Sequence, residues 1–170
     1  MLVRRETPAD VPAVRALVAA AFEEEPGVEP VEVRLLDRLR ECADWLPALS
    51  LVAVTPEGAV AGHVVCSRGW VGDAEVVGLG PLAVRPDLQR GGIGSALVHA
   101  VVAAAEALDM PAVALLGSPD YYGRFGFVPG SHVGVGSPEP AWADHFQVRL
   151  LVADPPRGTF RYAAPFRDLE

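Results

Sequence analysis

A short run of glycines lies between two apolar segments in the middle of the chain. The run is Gln89-Arg90-Gly91-Gly92-Ile93-Gly94-Ser95, and it separates an apolar stretch at 79–84 from a long alanine- and valine-rich segment. This order predicts a strand, a tight turn and a helix. The first N–H groups of a helix have no partner within it, and the helix dipole makes that end positive. The glycines leave these N–H groups unobstructed, so the segment has the chemistry of an anion-binding site.

A second group of residues with chemical potential follows downstream: Tyr121-Tyr122-Gly123-Arg124-Phe125-Gly126-Phe127. The spacing Gln-x-x-Gly-x-Gly resembles the acyl-CoA pyrophosphate loop of the GNAT superfamily of N-acetyltransferases, and the tyrosine motif is similar to one that follows in that superfamily. The segments 79–84, 115–119 and 121–127 look closest to its YhbS-like branch. The resemblance extends over nearly the whole chain. Two motifs in this order are stronger evidence for it than either motif alone.

The resemblance implies an acetyl-CoA-dependent N-acetyltransferase that moves an acetyl group to a primary amine by direct attack in a ternary complex. Acetyl-CoA is then the co-substrate. The residues that the resemblance assigns to it are Gln89, Arg90, Gly91, Gly92, Gly94 and Ser95 of the loop, Leu82, Ala83 and Val84 of the strand before it, and Tyr122. Pro81 in that strand cannot donate to a neighbouring strand, so we expect a bulge or a local opening of the sheet there.

Tyr122 is the candidate general acid. The superfamily commonly carries a tyrosine at this distance before Gly126, where it protonates the departing thiolate, and a phenol can donate a proton without a metal ion. On a helix the adjacent Tyr121 would point elsewhere. The alternative is that both tyrosines are packing residues beside Phe125 and Phe127.

The general base is less well defined by the sequence. Some relatives place a glutamate on the strand before the glycine loop, but Gly78 stands at that position. Glu75 on the same strand is the candidate that remains, acting through a water molecule, and the alternative is a solvated carboxylate at a strand end. The histidines have no zinc-like spacing, so no metal is expected: they are His63, His99, His132 and His145.

The composition of the chain limits the kinds of binding partner that can be expected. The 170 residues suit one domain, expected to span 1–170, and carry a net charge of −8 with no basic stripe, which argues against nucleic acid. No apolar run is long enough to span a membrane and no secretion signal is visible, so a cytoplasmic location is expected. The expected oligomeric state is a monomer or a homodimer.

The resemblance implies that the acceptor is an amine of a small molecule or a peptide. The resemblance places the acceptor near a cluster of glutamates that would attract a cationic amine, such as a polyamine or a basic peptide. The alternative is that this cluster is only a solvated acidic loop. Its members are Glu23, Glu24, Glu25, Glu29 and Glu32.

The elements that must position these residues form an α/β pattern. Apolar periodicity predicts helices at 8–22, 31–42, 92–109 and 120–125, strands at 49–54, 59–67, 74–84, 112–116, 146–152 and 159–162, and a loop at 128–144. The resemblance implies the acyl-CoA N-acyltransferase fold. In that fold a mostly antiparallel central sheet, flanked by helices, splays between two parallel strands.

Two alternatives compete with an enzyme. A non-catalytic CoA-binding sensor or structural module of the same fold is favoured by the missing base and disfavoured by Tyr122. A dinucleotide-binding domain is excluded, because the segment 92–97 lacks the third glycine and follows antiparallel strands in mid-chain.

Overall fold

The computed structural model describes residues 1–169 as a mixed sheet with helices on both faces. The strands are β1 (Leu2–Arg5), β2 (Ser50–Val54), β3 (Val60–Val71), β4 (Ala74–Val84), β5 (Ala112–Leu116), β6 (Val128–Pro129), β7 (Val135–Gly136), β8 (Phe146–Leu150) and β9 (Gly158–Tyr162). The helices are α1 (Val11–Ala21), α2 (Val31–Glu41), α3 (Ile93–Ala107), α4 (Pro119–Tyr122) and α5 (Ala164–Arg167).

The sheet runs in the order β1-β2-β3-β4-β5-β8-β6. Along this path β4 and β5 are parallel, and the other neighbours are antiparallel. The strand β9 pairs with the far end of β3 and, in parallel, with β7. The predicted fold class, a mostly antiparallel sheet around one parallel pair, is confirmed.

The parallel pair separates after two residues. Val77 faces Val113 and Gly78 faces Ala114, and there the pairing ends. Beyond this point β5 continues beside β8, while β4 continues beside β3 alone. The predicted opening of the sheet is therefore present, and it leaves one edge of β4 unpaired from Leu79 to Val84.

The expected bulge is also present in β4. Opposite β3, Leu79 faces Cys66 and Leu82 faces Val64, so β4 has one more residue than its partner across this interval. The interval contains Gly80 and Pro81, and a proline has no N–H to give to the ladder. The bulge bends the strand at the point where the parallel pair opens.

The sheet is covered on both faces. On one face α3 buries Leu97, Val98 and Val101 against the sheet. On the other face α1 and α2 bury Val14 and Leu36 among sheet residues. Burying these apolar stripes fixes the start of α3 beside the end of β4, which places the glycine turn at the opening of the sheet.

Several element boundaries differ from the sequence prediction. The strand β3 extends to Val71 rather than 67, because the true turn is at Gly72 and Asp73, where Gly72 has φ of +59°. The strand β1 was not predicted, since its four residues include two arginines and make no apolar run. The helix predicted at 8–22 begins with a 3-10 turn at 8–10, and β6 and β7 lie within the predicted loop.

A buried polar network joins Glu6, which follows β1, to α2 and to strands β2 and β3. His63 is completely buried, and its Nε2 lies 3.0 Å from Oγ of Ser50. That hydroxyl donates a hydrogen bond of 2.7 Å to Oε2 of Glu6, and Arg40 pairs with the other oxygen of Glu6. Burial, and then the charge of Arg40, lowers the pKa of His63 to about 3, so the imidazole is neutral.

Candidate active site

The glycine run forms a turn whose backbone amides point outward at the start of α3. Gly92 is the N-cap residue with φ of +91°, and Arg90 also lies in the left-handed region with φ of +66°. Left-handed and right-handed residues in succession bring neighbouring N–H groups to one side of the chain, where they attract anions. Gly92 supplies a conformation that most side chains disfavour.

This turn borders a cavity of about 550 Å³, which we call the loop cleft. Its lining comes from the end of β4, the turn, the start of α3 and the tyrosine motif: Leu82, Val84, Gln89, Arg90, Gly92, Gly94, Ser95, Tyr121 and Arg124. The first seven of these are residues that the sequence predicted for cofactor binding. Gly91 lies in the turn without lining the cleft.

The unpaired edge of β4 faces this opening with its backbone. The amide of Arg85 donates to the carbonyl of Ala61 on β3 at 2.8 Å. Because N–H and C=O groups alternate sides along a strand, the backbone groups of Leu82 and Val84 point away from β3. Gln89 already uses one of them, since its Nε2 donates to the carbonyl of Val84 at 3.2 Å.

Ala83 differs from its two neighbours. It faces His63 across the β3–β4 ladder, and it is buried beneath α1 and α2. Its backbone groups are directed into the sheet. The structure therefore does not support the predicted contact between Ala83 and a cofactor, because a strand can offer only alternate residues to its open side.

Two arginines give the loop cleft a positive charge. Arg90 and Arg124 both line it, and within residues 1–169 neither forms an ion pair. The guanidinium of Arg124 lies 4.7 Å from the centre of the Tyr121 ring, and its Nε donates to the carbonyl of Tyr121 at 3.0 Å. Both charges add to the helix dipole and the outward amides, so the cleft suits a phosphorylated ligand.

The adjacent tyrosines face two different cavities. Tyr121 lines the loop cleft, whereas Tyr122 lines a second cavity on the other side of Leu82. Their rings are nearly perpendicular, with centroids 4.8 Å apart. The ring of Tyr122 packs on Gly117, where a Cβ atom would lie 2.8 Å from its Cδ2. Burial, and then the neighbouring Tyr121, raises the pKa of Tyr122 to about 12, so its phenol is protonated at neutral pH.

The second cavity has a volume of about 340 Å³, and we call it the aromatic pocket. Its residues come from the bulge of β4, the residue after α1, α2, β5, α4, the segment before β8 and the C-terminal segment: Phe22, Glu32, Leu35, Leu79, Gly80, Pro81, Leu82, Leu116, Tyr122, Trp142, Tyr162, Phe166 and Leu169. Leu82 lines both the aromatic pocket and the loop cleft. A group bound in one cavity can thus approach a group bound in the other across this residue.

Four of the five glutamates that the sequence singled out border a third cavity, the acidic groove. It has a volume of about 310 Å³, and its carboxylates are those of Glu24, Glu25, Glu29 and Glu32. Phe22 and Glu32 line both this groove and the aromatic pocket. The acidic groove therefore adjoins the aromatic pocket, and its carboxylates give this border a negative charge.

Glu75 lies outside these cavities. It sits near the β3–β4 turn opposite Trp70, its side chain is 45% exposed, and it accepts a hydrogen bond of 2.6 Å from Nε of Arg68. The strand rise puts it roughly 20 Å along β4 from Leu82. The predicted role of Glu75 as a base is not supported, because one or two water molecules cannot bridge that distance.

Sequence reasoning missed several residues that line the cavities. Arg124 and Tyr121 were visible in the tyrosine motif, and only the tertiary structure turns them toward the glycine loop. Trp142, Tyr162 and Phe166 come from segments predicted as a loop, as a closing strand and as no element. The sequence showed only that aromatic residues occur in a glycine- and proline-rich stretch. It did not show where their side chains pack.

Two further properties of the described residues concern metal binding and membrane crossing. Within residues 1–169, no three or more His, Cys, Asp or Glu side chains are grouped so that they could hold a metal ion. Over the same range, no helix combines the length and the apolar character that a membrane crossing requires.

Comparison with known proteins agrees with this geometry. Residues 12–127 match the model of the acetyltransferase (GNAT) family. The chain is 35% identical over 156 residues to the uncharacterized N-acetyltransferase YhbS of Escherichia coli K12, covering 91% of this chain and 89% of YhbS. A crystal structure of E. coli YhbS in complex with CoA superposes with a TM-score of 0.88 at 31% identity, covering 99% of this chain and 93% of that one.

A Brucella melitensis GNAT acetyltransferase in complex with acetyl-CoA superposes with a TM-score of 0.79 at 32% identity, covering 97% of each chain. Both the family match and the identity to YhbS extend over most of this sequence. The chain therefore belongs to the GNAT family of acetyltransferases.

Proposed function

We propose that this chain transfers an acetyl group from acetyl-CoA to a primary amine by direct attack in a ternary complex. The observation that carries the proposal is the position of Leu82, which borders the loop cleft and the aromatic pocket together. A two-substrate reaction without a covalent enzyme intermediate needs such a junction, because the reacting atoms must meet within van der Waals distance.

The loop cleft is the proposed site for acetyl-CoA. The outward amides of the turn, the start of α3, and the guanidinium groups of Arg90 and Arg124 match a diphosphate. The unpaired backbone of Leu82 and Val84 matches the amide-rich arm of CoA, which would bind as an added strand does. The crystal structures of YhbS with CoA and of the Brucella protein with acetyl-CoA support this assignment.

The chemical step forms a bond between the amine nitrogen and the acetyl carbonyl carbon and breaks the carbon–sulfur bond. The N–H of Leu82 points into the opening and would stabilise negative charge on the carbonyl oxygen. Tyr122 would give its proton to the departing thiolate. Its raised pKa keeps that proton on the phenol at neutral pH, so a proton donor is in place when the thiolate forms.

We assign no side-chain base. Gly78 carries no carboxylate, and Glu75 is exposed and paired with Arg68. The amine then reacts in its neutral form and releases one proton to solvent as the amide forms. Solvent returns one proton to the phenolate of Tyr122, so the protons balance over a turnover. This proposal requires the logarithm of kcat/KM to rise with pH with unit slope until the pH reaches the pKa of the amine, and the inflection to follow that pKa through a series of amines.

The alternative is a CoA-binding module without catalysis. The missing base favours it, while the protonated Tyr122 beside an open second cavity favours the enzyme. Measuring free thiol release from acetyl-CoA with and without added primary amines separates the two. The proposed function predicts amine-dependent release with N-acetylated product in equal amount, and binding of acetyl-CoA without release in any amine would establish the module.

A further inference from the structure

The ring of Tyr162 fills the space beside Gly78. A Cβ atom on Gly78 would lie 2.9 Å from Cε1 and 3.0 Å from Cδ1 of that ring. Tyr162 is only 7% exposed, and the near atoms are ring carbons close to a fixed backbone rather than the end of a flexible side chain. A carboxylate side chain at position 78 and this tyrosine therefore exclude one another, and the chain has the tyrosine.

Tyr162 is the centre of an aromatic wall. Its ring stacks on Phe166 with centroids 4.5 Å apart and an angle of 28°, and Trp142 approaches its edge with centroids 6.3 Å apart. All three side chains line the aromatic pocket. On the other side Phe160 packs edge-on against Tyr162 with centroids 4.6 Å apart, which holds the wall in place.

The remaining surface of the aromatic pocket is apolar with one charge. Among residues 1–169, the only charged side chain that lines it is Glu32, at the border shared with the acidic groove. A substrate with several ammonium groups would lose hydration inside such a pocket without partners for them. A substrate with one ammonium group and an apolar body would keep its charge near Glu32 on entry and bury its body against the wall.

We propose that the acceptor is a small primary amine with a single charge and an apolar body the size of one ring, selected by the wall of Trp142, Tyr162 and Phe166. This inference rests on the proposed function. The volume of about 340 Å³ lies at the lower end of small-molecule pockets, which fits a single-ring amine. The wall takes the space that a side chain at position 78 would need, so specificity and the absence of a base have one structural origin.

The test compares three amines at saturating acetyl-CoA by thiol release: 2-phenylethylamine, spermidine and the α-amine of a short basic peptide. The inference predicts a kcat/KM for 2-phenylethylamine at least tenfold above the other two. A preference for spermidine or the peptide would overturn the inference and leave the proposed function intact. No turnover with any amine would overturn both.

A pair of variants at Phe166 tests whether the aromatic wall causes the preference for 2-phenylethylamine. Phe166→Ala removes the stacked ring and is expected to raise the KM for 2-phenylethylamine about tenfold, with the KM for acetyl-CoA within twofold, and Phe166→Tyr is expected to restore it. Trp142→Ala gives a second, independent gap in the wall if Phe166→Ala does not fold. An unchanged KM for 2-phenylethylamine in the folded variants would contradict the inference.

Discussion

The hydroxyl of Tyr121 lies 2.7 Å from the position that a Cβ atom would occupy on Gly94. Gly94 is in the first turn of α3, and both residues line the loop cleft. The tyrosine motif and the glycine loop, which are far apart in sequence, are thus in contact across the proposed acetyl-CoA site. The absence of a side chain at position 94 is what allows the contact.

We expect Gly94→Ala to weaken acetyl-CoA binding without lowering stability. The added methyl group must displace the Tyr121 hydroxyl into the cleft, which should raise the Kd about tenfold, or about 1.4 kcal/mol. Alanine is a better helix former than glycine by about 1 kcal/mol, so the free energy of unfolding should not fall. Isothermal titration calorimetry and urea unfolding measure the two quantities.

The matched controls are Gly123→Ala and a double variant. No atom lies within 4 Å of a Cβ at Gly123, so this change should leave the Kd alone. Adding Tyr121→Phe to Gly94→Ala removes the crowded oxygen and leaves Cζ at 4.0 Å, an ordinary contact. The double variant should therefore bind acetyl-CoA as tightly as Tyr121→Phe alone. A further loss of affinity relative to that single variant would show that the contact does not shape the cleft.

The sequence predicted the parts of the site that depend on local chemistry. The glycine turn and the unpaired strand edge at Pro81 follow from residue types with special backbone conformations. The acidic groove follows from glutamates that lie close together in the sequence. The parts that depend on long-range packing were missed or wrong. The sequence did not indicate that Tyr121 lines the loop cleft, and Trp142 and Phe166 carry no local signal of the pocket they line. Glu75 lies on the predicted strand, β4, but at the end far from the cavities.

Tyr122→Phe should lower kcat about 10²- to 10³-fold, because it removes the proposed proton donor. The ring still packs on Gly117, so the fold and the Kd for acetyl-CoA should be unchanged. A pKa of about 12 keeps the phenol protonated below that pH, and its proton is lost only as pH rises through that value. We therefore expect that ionisation of Tyr122 does not lower the wild-type rate at any pH up to about 10.

Tyr121→Phe is the matched control, and it should change the KM for acetyl-CoA more than kcat. Single-turnover rates at saturating acetyl-CoA separate the two effects. Small and equal losses of kcat in both variants would mean that neither phenol is the acid. A large loss only in Tyr121→Phe would transfer the role to Tyr121.

Glu75→Gln should leave both kcat and the pH dependence of kcat/KM unchanged. Glu75 and Arg68 form an ion pair with side chains 45% and 35% exposed, and such a pair contributes at most about 1 kcal/mol to the free energy of unfolding. Steady-state rates between about pH 6 and pH 9 provide the measurement. A loss of the acidic limb of the profile in Glu75→Gln would restore Glu75 as the base.

The buried His63 should make stability depend on pH in weakly acidic solution. Its pKa falls from 6.5 to about 3 on folding, so the unfolded chain binds the extra proton between these values. The stabilisation is complete above pH 6.5 and is lost as pH falls below it, with a slope approaching about 1.4 kcal/mol per pH unit.

Urea unfolding between about pH 5 and pH 6.5 isolates this effect, because carboxylates titrate mostly at lower pH. His63→Gln keeps a polar nitrogen near Ser50 and removes the titration. The slope should therefore fall by about half of that amount at pH 6.5, the pKa of the unfolded histidine, and by nearly all of it at about pH 5. Equal slopes in the variant and the wild type would mean that His63 does not control acid stability.

The most direct test of acetyl-CoA binding at the glycine turn is calorimetric titration of wild type, Gly92→Asn and Gly92→Asp. Gly92 has φ of +91°, and no atom lies within 4 Å of its Cβ position. Asparagine and aspartate have nearly the same size, tolerate the left-handed region and cap helices equally well, so they differ chiefly by one negative charge. At about 4 Å from a diphosphate that charge costs several kcal/mol. We predict that Gly92→Asp lowers the affinity for acetyl-CoA at least about hundredfold relative to Gly92→Asn, and equal affinities in the two folded variants would contradict the proposed binding site.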